Sequence, residues 1–150
     1  MGLWYAMGLW YWIGVAAGLG TASGVLLSGL PLRRTVPAVD ALAAVLVGGV
    51  VALSVAGPHR GHWSDVAAGA IGGGAAYVGA AIIVAGAFRR GGTRVGLAVI
   101  MFGIAFVFVG IALIIPAAGF VEAIAVPTLA WRLRRMQPER YAGLRTLAKD

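Results

Sequence analysis

The sequence contains no cysteine, and charged residues make up only 11% of its 150 positions. The first absence excludes disulfides, thiolate metal sites and cysteine nucleophiles. The charge content is far below that of a typical soluble domain, which is about 25%. The charges that remain fall in short clusters between long apolar runs. This arrangement indicates a chain whose solvent is a lipid bilayer.

Enzyme motifs are also lacking. There is no P-loop, no HExxH helix and no nucleophile elbow, and the five acidic residues are scattered among separate segments. No two carboxylates are spaced for acid–base catalysis. We therefore expect a non-enzymatic protein that requires no cofactor and no metal.

The formal net charge of +7 raises the question of nucleic-acid binding. The basic residues flank apolar runs, as they do in membrane proteins, and they form no separate patch, so we expect no nucleic-acid partner. A secretory signal begins with basic residues, whereas the first basic residue here is Arg33. We expect neither a cleaved signal nor a lipid anchor.

The long apolar runs predict an all-α, polytopic membrane bundle with five transmembrane segments. A bilayer core about 30 Å thick requires about 20 helical residues. Four full spans are predicted at about residues 10–30, 38–57, 65–88 and 95–115, and a short fifth at 117–131. The fifth would reach only about 22 Å, so it either relies on snorkelling arginines or is re-entrant. The bundle would occupy residues 1–135, and residues 136–150 would form a basic amphipathic cytoplasmic tail.

Basic residues favour an odd number of crossings. With five spans, eleven of the twelve basic residues share one side and only Arg60 faces the other; with four spans they divide five to seven. Because basic loops stay in the cytoplasm, five spans predict an outside N-terminus and a cytoplasmic C-terminus in the inner membrane of the cell. The eleven are Arg33, Arg34, Arg89, Arg90, Arg94, Arg132, Arg134, Arg135, Arg140, Arg145 and Lys149.

The N-terminus contains an internal repeat: the five residues that begin at Met1 have the same sequence as the five that begin at Met7. Translation could begin at either methionine, and a local duplication explains the repeat equally well. In both cases the aromatic residues are expected to form a belt at the outer membrane interface. They are Trp4, Tyr5, Trp10, Tyr11 and Trp12.

Glycines recur at helical spacing in three of the spans. Lipid gives no hydrophobic drive for helix association, so close approach through small residues supplies the contact. We expect these faces to pack within one compact bundle, with the alternative that one of them joins subunits of a homo-oligomer or another membrane protein. The helix-packing residues are Gly14 and Gly18 in span one, Gly69 and Gly73 in span three, and Gly96, Gly103 and Gly110 in span four.

Glu122 is the most informative single residue. An ionisable group in a membrane segment is a candidate proton relay or cation site. If the chain turns at residues 116–119, however, Glu122 lies in the first turn of the fifth helix, where the helix dipole and nearby water stabilise a carboxylate. We favour this structural role and keep an ion or proton site as the alternative. Asp40, at the start of span two, is interpreted as a terminus charge.

His59, His62 and Asp65 form a polar cluster on an outer loop. Histidine and aspartate ligate zinc. The loop contains Gly61, follows Pro58 and offers no fourth ligand, so a solvated connector is favoured over a metal site or a pH-responsive loop.

The C-terminal segment combines a membrane anchor with a basic tail. Trp131 and the arginines after it are expected to contact anionic lipids of the inner leaflet, each basic residue contributing about 1 kcal/mol. Beyond Pro138, apolar residues at helical spacing predict a short amphipathic segment that lies on the membrane, with docking onto a cytoplasmic partner as the alternative. The residues assigned to lipid contact are Arg132, Arg134, Arg135, Arg140 and Arg145.

Taken together, the sequence predicts a non-enzymatic membrane subunit, scaffold or homo-oligomeric assembly. The alternative is a small proton- or cation-coupled transporter or channel that uses Glu122. A lipid-modifying enzyme, which would have to use the outer-loop cluster and Glu122, is the least favoured. A transport path needs polar lining, and its candidates are Thr21, Ser23, Ser28, Ser54 and Tyr77.

Overall fold

The computed structural model describes residues 2–30, 37–56 and 63–147, with side-chain surroundings for residues 8–30, 38–54 and 63–135. Within these ranges the chain forms five helices and no strand, which confirms the predicted all-α class. The helices are α1 (Gly2–Gly29), α2 (Pro37–Ala56), α3 (Trp63–Arg89), α4 (Arg94–Ile114) and α5 (Pro116–Leu147).

Within the described residues, three helices are long and apolar enough to cross a membrane. They are the Gly8–Gly29 stretch of α1, the whole of α3 and the whole of α4. The apolar stretch of α2, Ala38–Ser54, is shorter. Even so, α2 exposes a continuous apolar stripe, where the outer face of a soluble helix would be polar. The stripe consists of Val39, Leu42, Leu46, Val50 and Leu53.

A glycine follows the end of α3, and a proline follows the end of α4. Gly91 has φ of +87° and follows the end of α3, and the Thr93 hydroxyl caps α4 by accepting from the Gly96 backbone N–H at 3.2 Å. Ile115 leaves the helical region, as a residue before proline tends to do, and Pro116 opens α5. Ile115 alone separates α4 from α5. Residues 116–119 are already helical, so the chain does not turn there, and the condition for placing Glu122 in the first turn of the fifth helix is not met.

α1 lies at the centre of the bundle and contacts each of the other four helices. Its most extensive contact is with α3, where Gly20 lies against Gly69 and Gly24 lies against Gly73. Both pairs advance in the same chain direction, so α1 and α3 run parallel. Among the described residues, α2 contacts α1 and α3 and reaches neither α4 nor α5.

Contacts of the same kind orient the remaining helices. Gly18 of α1 lies beside Ala112, and Gly29 lies beside Met101, so α4 runs antiparallel to α1. α5 runs parallel to α1, and α2 runs antiparallel to α3. The C-terminal ends of α1, α3 and α5 therefore point to one end of the bundle. The exposed arginines at that end are Arg89, Arg90, Arg94, Arg132, Arg134 and Arg135.

The α1–α3 interface is built from backbone instead of large side chains. A Cβ atom on Gly20 would overlap the carbonyl group of Gly69, and one on Gly72 would lie 2.6 Å from the carbonyl oxygen of Ala17. Such contacts stabilise membrane helices through dispersion between closely approaching backbones. A single methyl group is enough to separate them.

We expect Gly20→Ala to destabilise the bundle by about 1–3 kcal/mol, because the added methyl group overpacks the interface with Gly69. The measurement is unfolding of the detergent-solubilised protein. Gly8→Ala is the matched control on the same helix, since a Cβ there meets no atom within 4 Å. Equal losses in the two variants would contradict the α1–α3 contact.

Candidate functional site

Among the side chains that the structure describes, two acidic ones are buried in the bundle. Asp65 is 1% exposed and Glu122 is 6% exposed. Within the described part of the chain, neither carboxyl oxygen of either residue has a hydrogen-bond partner. An unpaired carboxylate is expensive to bury, so both groups require either neutralisation or a ligand.

Glu122 lies deeper along α5 than the sequence suggested. It is the seventh residue of α5, and the first turn of that helix contains no acidic residue. The first-turn placement is therefore wrong, because α5 begins at Pro116 and not after Gly119. The unsatisfied backbone N–H groups and the positive end of the dipole belong to the first turn, so Glu122 gains little from either.

The carboxyl group of Glu122 occupies a space that glycine leaves open where α1, α4 and α5 meet. A Cβ atom on Gly18 would lie 3.1 Å from Oε2 of Glu122 and 3.2 Å from the Cα atom of Gly119. The same atom would overlap the side chain of Ala112 on α4. Gly18 lies halfway along the apolar stretch Gly8–Gly29, which places Glu122 level with the middle of that stretch.

The hydroxyl groups that could line a polar path are bonded locally. Each serine or threonine among them donates to a carbonyl oxygen of its own helix, at 2.7–2.9 Å, and such bonds do not connect neighbouring helices. These donors are Thr21, Ser23, Ser28 and Ser54. Tyr77 donates instead to Oδ2 of Asp40 on α2 at 3.3 Å. Within the described residues, therefore, these side chains form no continuous path.

Asp65, with which the predicted third span begins, lies in the first turn of α3. It adjoins residues 57–62, so His59 and His62, which the sequence grouped with it, lie outside the described residues. No group of three or more histidine, cysteine, aspartate or glutamate residues in the described ranges could hold a metal ion.

At the basic end of the bundle, the guanidinium group of Arg135 stacks over Trp131 at 3.8 Å from the ring centroid. Both side chains are exposed, as are Arg132 and Arg134. A cation over an exposed tryptophan face is an arrangement suited to a membrane–water interface. The side chains of Arg140 and Arg145 lie outside the described part.

Near the other end, the ring of Trp10 lies 6.3 Å from that of Phe120, which ties the start of α5 to the aromatic segment of α1. Tyr11 and Trp12 make an edge contact at 5.3 Å. These rings lie in the part of α1 that was predicted to form an aromatic belt.

The predicted glycine faces divide into two groups. Four glycines lie against the backbone or side chains of a neighbouring helix. The stripe of α4 does not: a Cβ atom on Gly103 or Gly110 meets nothing within 4 Å, and one on Gly96 meets only the Thr93 hydroxyl. The compact bundle therefore leaves this face unused. The four packed glycines are Gly14, Gly18, Gly69 and Gly73.

An open, apolar groove of about 230 Å³ separates α2 from α4 and exposes part of α1. Its lining includes Leu26, Phe102 and Phe106, and its one polar side chain, Ser23, is bonded to its own helix. The groove offers an apolar surface and no group that would select a polar ligand.

Comparisons of this chain with protein-family models, curated proteins and solved structures found no match.

We expect Glu122→Lys to destabilise the bundle by several kcal/mol, because it puts a longer, charged side chain into the space left by Gly18. Glu122→Gln is the matched control, since it keeps the shape without a charge, and we expect it to stay within about 1 kcal/mol of the native protein. Unfolding in detergent and elution volume measure both. Equal losses would contradict the buried position of Glu122.

Proposed function

We propose that this chain is a multi-pass inner-membrane protein that acts as a non-enzymatic structural subunit and forms a homo-oligomer through the outward face of α4. The observation that carries the proposal is the unused stripe of Gly103 and Gly110. The stripe is suited to a second helix in the same way as the glycines that pack within the bundle.

The stripe points directly away from the bundle. Gly103 and Gly110 each precede by two residues an alanine that is buried, Ala105 and Ala112 respectively. Two helical residues correspond to about 200° of rotation, so the glycines lie opposite the buried face. Of the apolar stretch of α4, 22% is buried, compared with 67% for that of α1. Most of α4 is thus available to lipid or to another protein.

Lipid alone does not account for glycines on this face. Glycine in a helix interior costs about 1 kcal/mol relative to alanine, and lipid chains pack as well against larger apolar side chains. A second helix recovers that cost, because the two backbones can approach closely. Bulky exposed neighbours, among them Val99, Phe106 and Val107, flank the stripe and would fill the grooves of the partner helix.

A second copy of α4 is the simplest partner. In a two-fold symmetric dimer the same face is used by both subunits, so one stripe satisfies both sides of the interface. The role is then structural, which agrees with the lack of a catalytic motif in the sequence. Ion-coupled transport, the alternative from the sequence, is less favoured because four of the five candidate hydroxyl groups are bonded within their own helices.

Five crossings, with the N-terminus outside and the C-terminus in the cytoplasm, belong to the same proposal. The parallel course of α1, α3 and α5 supports it, since six arginines lie at one end of the bundle, and basic segments are retained in the cytoplasm. The same arginines would contact anionic lipids of the inner leaflet.

We expect the protein extracted in mild detergent to be an oligomer and Gly103→Leu to be a monomer, because the leucine side chain keeps the two α4 helices apart. Mass measurement by light scattering or native mass spectrometry distinguishes these states. Gly8→Leu is the control, since Gly8 is also exposed with no neighbour. A native monomer, or a Gly103→Leu variant that assembles normally, would overturn the proposed interface.

The orientation predicts that a reporter fused after Asp150 is active on the cytoplasmic side. It also predicts that Lys149 resists an impermeant amine reagent in intact cells and reacts after the cells are opened. Because α5 runs parallel to α1, a reporter placed before α1 should show the opposite behaviour. Labelling of Lys149 in intact cells would contradict the five-crossing arrangement.

A further inference from the structure

We propose that Glu122 is a proton-binding site, at which the carboxyl group carries its proton in the folded bundle at neutral pH. The proposal goes beyond the structural role above and does not depend on assembly through α4. It stands on the geometry where α1, α4 and α5 meet.

The carboxyl group of Glu122 is buried without a partner. Glu122 is more than nine-tenths buried, and neither of its oxygens has a hydrogen-bond partner among the described residues. Gly18 of α1 lies beside the carboxyl group, and Ala112 of α4 and Gly119 of α5 border the same space. None of these has a side chain that bears a charge or donates a hydrogen bond. A carboxylate here would be a buried, unpaired charge, whereas a carboxylic acid is neutral.

The site suits a proton better than a metal cation. Hard cations such as Mg²⁺ collect about six oxygen ligands. Gly18 and Ala112 offer Glu122 no side-chain oxygen. The hydroxyl of Thr21, one turn along α1, lies toward Gly72 of α3 and donates to the Ala17 carbonyl oxygen. A proton needs no ligand shell, so it is the ligand this site can hold.

Asp65 is buried as completely as Glu122 but lies elsewhere in the bundle. Asp65 is in the first turn of α3, whereas Glu122 is in the second turn of α5. Asp65 is therefore the natural control for an experiment on Glu122.

Proton binding has a structural consequence at the α1–α5 contact. Gly14, Gly18 and Gly119 bring the two backbones together around the carboxyl group. Removal of the proton would leave a charge that only water could solvate, and water would have to separate α1 from α5. The bound proton thus keeps this contact closed.

Infrared spectroscopy of the reconstituted full-length protein tests the proposal. A protonated carboxyl group has a C=O stretching band that a carboxylate lacks. At neutral pH we expect Glu122→Gln to lose a component of this band that both the native protein and Asp65→Asn retain. Identical spectra for the native protein and Glu122→Gln would overturn the proposal. We expect Gly103→Leu to keep the component, so failure of the assembly model leaves this result intact.

Dicyclohexylcarbodiimide provides a second, independent measurement. A protonated carboxyl group adds across one C=N bond of this reagent: its oxygen bonds to the central carbon, its proton moves to nitrogen, and the adduct rearranges to a stable N-acylurea without a leaving group. We expect mass spectrometry to locate the adduct at Glu122 and to show its loss in Glu122→Gln. At constant pH, sodium chloride should protect Glu122 from the reagent no better than the chloride of an organic cation at the same ionic strength. Specific protection by sodium would overturn the proton assignment in favour of a metal cation.

Discussion

Close contact between the backbones of α1 and α3, at Gly20 with Gly69 and at Gly24 with Gly73, is the constraint on which the rest of the structure depends. In a bilayer, apolar side chains gain nothing by leaving lipid, so association relies on dispersion and close fit. Glycine permits the smallest separation between helices. α1 and α3 thereby form a central pair, and the other helices are arranged around it.

Close contact through glycine also shapes the surroundings of Glu122. Glycines at positions 14, 18 and 119 draw α5 onto α1, and the turn between α4 and α5 is short because Pro116 begins the next helix at once. The carboxyl group is then buried without a hydrogen-bond partner among the described residues. The outward glycines of α4 differ in this respect. α1 contacts all four other helices, whereas the outward face of α4 contacts no helix of the described part of the chain.

Several features of the site could be predicted, and others could not. The break at Pro116 follows from the chemistry of proline, and Glu122 stands out as an acid in an apolar segment. Its depth could not be predicted, because it depends on whether α5 begins at Pro116 or after Gly119, and both starts suit the local sequence. Nor could the inward face of α4, since Leu97, Met101, Ala105 and Ala112 are no more apolar than the residues that face outward.

The sequence by itself determined that this chain is helical and apolar enough for a membrane. Helix length and hydropathy depend only on consecutive residues, and they decide whether a segment suits the bilayer core. It also set the breaks between helices at proline and glycine. Only the tertiary structure decided which glycines contact another helix, where Glu122 lies, and which face of α4 remains open. These three features depend on the register and the rotation of helices whose surfaces are apolar on every side. Such a uniform surface does not indicate which face of a helix packs inward or how two helices align.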